Sequence, residues 1–235
     1  MTDHLSKTFD EELTRLRDML STMGNLTVEQ LETALHAAER TNEALARRVI
    51  EREPQADHLE HEINNLAIRL LALRQPLATD LRRVLTSVRI ANELERICDY
   101  AEGLAERLLA LGTAGHERLA SLINLGRFAT TMVRDALQAY VETDAEKATE
   151  VWNQDKELDE MYTALFRELL SYMMEDPRRI TSGTQILFMA RDIERVGDRA
   201  TNIAEMVRYL VSGVAVEEER PKADATKLMV TPSAL

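Results

Sequence analysis

Apolar side chains recur along this chain at steps of three and four residues, which is the spacing of helices that bury one face. In the first segment they are Phe9, Leu13, Leu16, Leu20 and Met23. Five further segments repeat the pattern, and the breaks between segments fall at Thr41-Asn42, Gln75-Pro76, Gly112-Thr113-Ala114-Gly115, Thr143-Asp144 and Asp176-Pro177. Because these breaks carry turn-forming residues, the pattern predicts six long helices.

Local signals modify the first two helices. Gly24-Asn25 is expected to bend the first helix, and Thr27 followed by Gln30 resembles a capping box that would start a new helical segment. Pro54 lies inside the second helix, where the missing backbone N–H predicts either a kink or a fresh start. The third helix is predicted to begin near Leu77 or Ala78.

One acidic motif occurs twice. Leu94-Glu95-Arg96-Ile97-Cys98-Asp99 stands in the third predicted helix, and Ile193-Glu194-Arg195-Val196-Gly197-Asp198 stands in the sixth. Each acidic residue of the second copy follows its counterpart by 99 residues, and Glu205 follows Glu106 by the same interval. A constant interval across three acidic positions indicates an internal duplication.

The duplication and the composition together predict the fold. Few glycines and prolines, 4% aromatic residues and abundant Leu, Ala, Glu and Arg are typical of an all-α protein. We therefore predict two tandem three-helix bundles, each burying the apolar faces of its own helices. Their predicted limits are residues 1–111 and 116–212, followed by a flexible C-terminal tail over residues 213–235.

The repeated acids form a stripe on each motif helix. Side chains four and eleven positions apart lie within about 40° of one another on a helix, so Glu95, Asp99 and Glu106 share one line. Like charges at this spacing repel, and something must offset the repulsion. One explanation is a solvated face with local ion pairs to Arg96, and to Arg195 and Arg208 in the second copy. The other explanation is a bound metal ion.

A second acidic pair in each half supports the metal explanation. Glu53 and Asp57 lie on the second helix, and Asp155 and Asp159 lie on the fifth, again four residues apart. Because neighbouring helices of a bundle are antiparallel, the first pair could converge with Glu95 and Asp99. The second pair could converge in the same way with Glu194 and Asp198. Carboxylate oxygens without sulfur suit Mg, Ca, Mn or iron, although the pairs could also simply solvate the outer face.

Charge and cysteine content narrow the function classes. The net charge is −12 and no basic run occurs, which argues against nucleic-acid binding. The single cysteine, Cys98, cannot form an internal disulfide, and this fits a reducing cytosol. No secretory leader and no membrane-spanning run is evident. We therefore expect a cytoplasmic protein that reaches a membrane only through partners.

Histidines and nucleophiles offer little support for catalysis. His58 and His61 lie close to Asp57 and could join the first acidic cluster, but they read more simply as surface residues of a charged helix. We find no Glu-x-x-His pair of the di-iron type, no Gly-rich phosphate loop and no hydrolase serine motif. The residues therefore show no visible basis for catalysis.

The doubled motif, together with Leu71-Ala72-Leu73-Arg74-Gln75-Pro76-Leu77-Ala78-Thr79-Asp80-Leu81-Arg82, closely resembles the PhoU family of phosphate-transport accessory regulators. The resemblance covers roughly residues 5 to 212. It implies a non-enzymatic adaptor that associates with a phosphate ABC transporter, at its nucleotide-binding subunit, and with a sensor histidine kinase. Such a protein restrains kinase signalling and limits uptake when phosphate is plentiful. We also expect a homodimer, although no sequence feature decides the oligomeric state.

The resemblance also implies metal ligands, because some family members bind iron or zinc clusters through the motif carboxylates. Carried over by position, the expected ligands for iron, zinc or another divalent cation are Glu95, Asp99, Glu194 and Asp198, supported by Asp155, Asp159, Glu53 and Asp57. Cys98 in place of Gly197, and Pro54 directly after Glu53, depart from the pattern in the first copy. Because a residue before proline is pushed out of helical geometry, Pro54 is expected to turn Glu53 away. This expectation favours the second site over the first.

Two rival functions remain open from the sequence. A metal-dependent enzyme or metal store would need an open coordination position beside a pocket and measurable turnover. A structural coiled-coil protein would carry the acids only for solubility, and it would bind neither metal nor partner. The sequence also lacks a visible anion-binding nest, so we predict no direct phosphate site.

Overall fold

The computed structural model describes residues 2–74, 76–112, 115–214 and 220, and this part of the chain forms helices without any strand. The seven α-helices are α1 (Thr2–Arg40), α2 (Glu43–Arg52), α3 (Pro54–Arg74), α4 (Ala78–Leu111), α5 (Leu119–Glu142), α6 (Ala145–Glu175) and α7 (Ile180–Ser212). Short 3-10 turns precede α5 and α7. The all-α prediction is confirmed, and the second predicted helix is two helices, α2 and α3.

Helix α1 runs without interruption through Gly24-Asn25 and on past Gln30, so no new helical segment begins there. The predicted capping box is wrong for the same reason, because both of its side chains lie inside the continuous helix. The Thr27 hydroxyl donates to the Met23 carbonyl at 2.9 Å, and the Gln30 amide reaches across to the Val49 carbonyl at 3.0 Å. Gln30 is buried, and its contact with α2 replaces the local cap that the sequence suggested.

Pro54 gives a fresh start, which is one of the two outcomes predicted for it. It is the first residue of α3, where a backbone N–H would have no helical acceptor in any case. The preceding helix α2 is capped by Asn42, whose side-chain oxygen accepts hydrogen bonds from the amides of Ala44 and Leu45. These contacts satisfy two of the free N–H groups that every helix start leaves.

The turn before α2 is repeated before α6, 102 residues later. Asp144 caps α6 as Asn42 caps α2, accepting from the amides of Glu146 and Lys147. The residue before each cap has a left-handed backbone, with φ of 51° at Thr41 and 56° at Thr143. The interval is 102 residues here and 99 in the acidic motifs, so the second repeat is three residues shorter between these points.

The two repeats pack against each other along their motif helices. Helices α1 to α4 form the first repeat and α5 to α7 the second, with α4 packed on α7 and α1 on α5. Arg107 contacts Asp192 at 3.1 Å, and Arg199 contacts Glu93 at 3.3 Å. This crossed register shows that α4 and α7 are antiparallel. Buried apolar side chains from both repeats form one continuous core.

Candidate functional site

The first acidic patch consists of five carboxylates where the start of α3 meets α4: Glu53, Asp57, Glu95, Asp99 and Glu102. The charges of Asp57, Glu102 and Asp99 act on Glu53, so carboxylates of α3 and α4 lie near one another here. Burial, the charges of Asp57 and Glu102, a hydrogen bond with the Asp57 side chain and the charge of Asp99 together raise the pKa of Glu53 to about 7. Glu53 is therefore protonated in a substantial fraction of the molecules at neutral pH.

Three further carboxylates of the first patch, Glu95, Asp99 and Glu102, are also shifted toward the neutral form. Burial raises the pKa of Glu95, and the neighbouring Asp99 charge adds to this effect. Burial raises the pKa of Asp99 as well, although the Arg96 guanidinium opposes the shift. Burial, with the Glu106 charge next, raises the pKa of Glu102. Within the described residues, no Lys or Arg forms an ion pair with these five carboxylates.

Glu53 keeps a right-handed helical backbone, with φ of −52° and ψ of −45°. The expectation that Pro54 turns this carboxylate away is therefore wrong. The effect of proline on the preceding residue is a preference, and the Glu53 carbonyl accepts from the Ala56 amide at 2.8 Å in a turn that joins α2 to α3. This turn keeps Glu53 one helical turn before Asp57, so Glu53 remains part of the first patch.

The remaining residues near the first patch do not face it as ligands. His58 and His61 are exposed, and the His61 ring contacts the Asp57 carbonyl rather than a carboxylate of the patch. Their interpretation as surface residues is confirmed. Cys98 is buried, with its Sγ 3.4 Å from the Thr27 hydroxyl on α1. Burial raises the pKa of the Cys98 thiol to about 12, so it stays protonated at neutral pH.

The second acidic patch consists of the four predicted carboxylates on α6 and α7: Asp155, Asp159, Glu194 and Asp198. All but Asp198 are buried, and Asp155 is only 2% exposed. A close helix approach places them there. A Cβ added to Gly197 would lie 1.9 Å from the Leu158 side chain, so glycine is what allows α7 to approach α6 this closely. Glu194 also pairs with Arg191 at 3.3 Å.

Arg220, eight residues after the end of α7, bridges the second acidic patch. Its Nε lies 3.0 Å from Asp155 Oδ2, and its Nη1 lies 2.9 Å from Asp198 Oδ1. Its Nη2 also donates to the main-chain carbonyl of Asp198 at 2.7 Å. The predicted tail contains this residue, but the remainder of residues 215–235 lies outside the described part of the chain.

Two further side chains distinguish the second patch from the first. Thr201 stands where the first repeat has Glu102. Its hydroxyl donates a hydrogen bond to Asp155 Oδ1 at 3.2 Å. Trp152, one turn before Asp155 on α6, donates from its indole N–H to Glu205 at 3.1 Å. The second patch therefore has one carboxylate fewer than the first and a hydroxyl donor, Thr201, at the matching position.

The two acidic patches differ in how well their side chains fit a metal ion. In the ranges that the structure describes, no three His, Cys, Asp or Glu side chains are arranged as a ready ligand set. At the first patch, the residues that would hold an ion are Glu53, Asp57, Glu95 and Asp99, whose charges already act on one another. At the second patch, Arg220 contacts one oxygen of Asp155 and one of Asp198, so this patch does not fit a metal ion as it stands.

Sequence reasoning missed Arg220. It lies 22 residues beyond Asp198, after a run of three glutamates, and no helical spacing connects the two positions. Thr201 could have been found, because aligning the two motif copies places it directly at the position of Glu102. Seven of the eight predicted carboxylates lie on the expected helices and Glu53 lies in the turn between α2 and α3, while their role as metal ligands stays a prediction.

None of the described helices is both long and apolar enough to cross a membrane.

Comparison with known proteins gives a consistent family match. The model of the PhoU domain matches residues 20–108 and again residues 122–207. The chain is similar to the phosphate-specific transport system accessory protein PhoU homolog of Xylella fastidiosa (strain 9a5c), with 45% identity over 224 residues, 95% of this chain and 94% of that protein. It is 39% identical over 211 residues to the phosphate-specific transport system accessory protein PhoU of Escherichia coli (strain K12), covering 89% and 88% of the two chains.

Solved structures agree with the sequence comparisons. The crystal structure of PhoU from Pseudomonas aeruginosa superposes with a TM-score of 0.83 at 37% identity, covering 88% of this chain and all of that one. The phosphate transport system regulatory protein PhoU from Streptococcus pneumoniae gives a TM-score of 0.82 at 31% identity and covers 89% of this chain.

Proposed function

Because the chain belongs to the PhoU family, we propose that it is a regulatory accessory protein of phosphate transport that works without catalysis. The observation that carries this proposal is the similarity over nearly the whole chain to proteins named as accessories of the phosphate-specific transport system. In this role it binds the nucleotide-binding subunit of a phosphate ABC transporter and a sensor histidine kinase. It then limits uptake and restrains phosphate-starvation signalling when phosphate is plentiful.

Exposed apolar side chains at two helix ends support docking of this kind. The first tip, where α3 turns into α4, exposes Ile68, Leu73, Leu77, Leu81 and Leu85. The second tip, where α6 turns into α7, exposes Leu170, Met174, Ile180 and Phe188. Large apolar side chains clustered on a surface are typical of protein interaction sites. Because α4 and α7 are antiparallel, the two tips lie toward opposite ends of the molecule.

An adaptor of this kind must distinguish states of its partner. A bound protein shifts a conformational equilibrium only by the difference between its affinities for the two states. We therefore expect this protein to bind one nucleotide state of the transporter subunit more tightly than the other. The continuous core shared by the repeats supports such a role, because it lets the molecule act as one rigid body.

Co-purification tests the transporter interaction. The chain is expressed with the nucleotide-binding subunit from the same genome, alongside a Leu77→Glu variant and a Met174→Glu variant. We expect the wild-type chain to retain the subunit and at least one variant to lose it while remaining helical by circular dichroism. Absence of any complex for the wild-type chain, with and without ATP, would contradict the proposal.

Complementation tests the signalling role. A host strain that lacks its own family member and carries a phosphate-starvation reporter receives the wild-type chain. We expect the reporter to be repressed in phosphate-rich medium and active in phosphate-poor medium. A reporter that stays active in both media, although the chain is expressed and soluble, would argue against kinase restraint.

A second candidate function is metal binding, which the open first patch favours. Glu53, Asp57, Glu95 and Asp99 would hold the ion, and a bound divalent cation would relieve the repulsion among them. Iron or zinc is the expected metal, and it would supply positive charge to this surface. The metal-dependent enzyme reading requires in addition an open coordination position and turnover.

Elemental analysis tests this second candidate. The protein is purified without chelator or histidine tag, beside a Glu95→Ala/Asp99→Ala variant and a Glu194→Ala/Asp198→Ala variant. We expect metal in the wild-type protein and a loss in the first variant. If all three proteins are metal-free, both the metal-store and the enzyme readings fail, and the acids then serve as partner-facing charge.

A further inference from the structure

The second acidic patch already holds a cation that belongs to the chain itself. The planar Arg220 guanidinium makes three polar contacts, one to each of two carboxylates and one to a main-chain carbonyl. Its side chain is only 16% exposed. Arginine is the side chain best suited to a site of this shape, because its donors form a rigid fork that several oxygens can accept from.

We propose that the second acidic patch is a guanidinium-binding site closed by Arg220, and that a divalent cation enters this patch only when Arg220 leaves. The guanidinium contacts Asp155 Oδ2 and Asp198 Oδ1, one carboxylate oxygen from α6 and one from α7. A metal ion needs the same oxygens. Arginine and cation therefore exclude each other at this patch.

The first patch has no equivalent arginine, and the chain connectivity explains why. In the first repeat α4 leads into α5, and the position 99 residues before Arg220 is Ser121, inside α5. That segment is held in the second repeat, so it cannot fold back over Glu53 and Asp99. The two patches therefore differ in access, with the first open and the second closed.

A purely structural ion pair is the alternative to a displaceable one. Both would neutralise the buried Asp155, but only a displaceable pair leaves a cation site behind when the arginine is removed. The chain contains one tryptophan, Trp152, and it stands one turn from Asp155 with its indole bonded to Glu205. Its fluorescence therefore reports on the second patch alone, and paramagnetic Mn²⁺ bound there will quench it.

The experiment compares Mn²⁺ binding in four chelator-treated full-length proteins. They are the wild type, Arg220→Gln, Arg220→Gln/Asp198→Asn and the control Arg118→Gln. Arg118 is a partly exposed arginine that pairs with Glu168 near the second tip, so its loss removes a comparable ion pair elsewhere. Equilibrium dialysis gives the number of Mn²⁺ ions bound per chain, and tryptophan quenching locates them.

We expect Arg220→Gln to bind at least one more Mn²⁺ per chain than the wild type, with saturable quenching of Trp152. The double variant should lose both the extra ion and the quenching. The control should match the wild type. Equal Mn²⁺ numbers in the wild type and Arg220→Gln would overturn the proposal, as would an extra ion in Arg118→Gln.

A second variant covers the case in which Arg220→Gln fails to fold by circular dichroism. Arg220→Lys keeps the positive charge but loses the fork, so it should admit Mn²⁺ at lower concentration than the wild type does. Identical quenching curves for Arg220→Lys and the wild type would refute the displacement. These measurements use the isolated protein, so their outcome is independent of whether the chain binds a transporter or a kinase.

Discussion

Among the carboxylates of the first acidic patch, Glu53 has a large shift in pKa. Its pKa is raised from 4.5 to about 7, chiefly by burial and by the Asp57 and Glu102 charges. Between these two pH values the folded state holds a proton that the unfolded state releases, so the free energy of unfolding falls as pH rises through this window. Above about pH 7 both states are ionised and the loss is complete.

This shift predicts a pH-dependent melting temperature in chelator-treated protein. Wild-type Tm should fall from pH 5 to pH 8, and Glu53→Gln should fall less over the same range, because glutamine carries no titratable charge. Thermal melts by circular dichroism at several pH values measure both. Glu150→Gln on the exposed face of α6 is the control and should follow the wild type. Parallel curves for Glu53→Gln and the wild type would show that Glu53 is not shifted.

Gly197 is the second residue on which the site depends. Its missing side chain lets α7 approach α6, because an added Cβ would lie 1.9 Å from the fully buried Leu158 side chain. We expect Gly197→Ala to destabilise the protein by about 1–3 kcal/mol in urea unfolding, because the core must shift to accept a methyl group. The control is Gly103→Ala, also inside a motif helix.

For the control, the added Cβ meets the flexible end of Arg107 at 3.0 Å and lies in ordinary contact with Asp192 Oδ2 at 3.5 Å. Gly103→Ala should therefore be neutral, or stabilising by up to about 1 kcal/mol through helix propensity. A Gly197→Ala protein as stable as the wild type would mean that the close helix approach is not required.

At the scale of elements, the repeated caps are the clearest trace of the duplication. Asn42 and Asp144 each accept two backbone N–H groups at the start of a helix. We expect Asn42→Ala and Asp144→Ala each to lower the free energy of unfolding by about 1 kcal/mol. Because the caps lie in different repeats, the stability lost by the double variant should equal the sum of the two single losses to within about 0.5 kcal/mol.

Urea unfolding of the three variants checks this prediction, with Asn42→Asp as a control that keeps the accepting oxygen. A double variant that loses much less than the sum would indicate that the two turns are energetically linked.

The helices themselves could be predicted from the sequence because apolar spacing is a signal that each helix carries on its own. The predictions failed where a distant contact replaced a local one. Gln30 was read as part of a cap, but it bonds to Val49 on another helix. Glu53 was expected to turn away, but the α2–α3 turn holds it in helical geometry. Local signals of this kind are worth about 1 kcal/mol or less, and tertiary packing overrides them.

The candidate site also could be predicted where its signals are local and could not be predicted where they depend on a distant contact. Seven of the eight predicted carboxylates lie on the expected helices and Glu53 lies between α2 and α3, because their spacing by four and the fixed interval between copies are local and repeated signals. Arg220 could not be predicted, because its position depends on how the chain after α7 folds back. The asymmetry between the two patches therefore became visible only in three dimensions.

At the scale of the molecule, the two repeats form one cooperative unit. Helix α4 buries one side against α7, and Arg107 and Arg199 contact Asp192 and Glu93 across this seam. We expect a single unfolding transition, with equal calorimetric and van't Hoff enthalpies. We also expect residues 116–212 alone to lack a cooperative melt, because the exposed face of α7 would have no partner. Two separated transitions in the full chain would contradict this prediction.

The antiparallel pairing of α4 and α7 makes the single chain resemble a two-fold symmetric pair whose halves are covalently joined. In a true homodimer, every substitution is imposed on both halves at once, so both sites must change together. Here each half has its own codons. One half could gain a fifth carboxylate at Glu102, while the other gained Thr201 and Arg220 at the matching surface. The duplication thus freed two copies of one ancestral surface to specialise separately, without giving up the shared core that holds them in place.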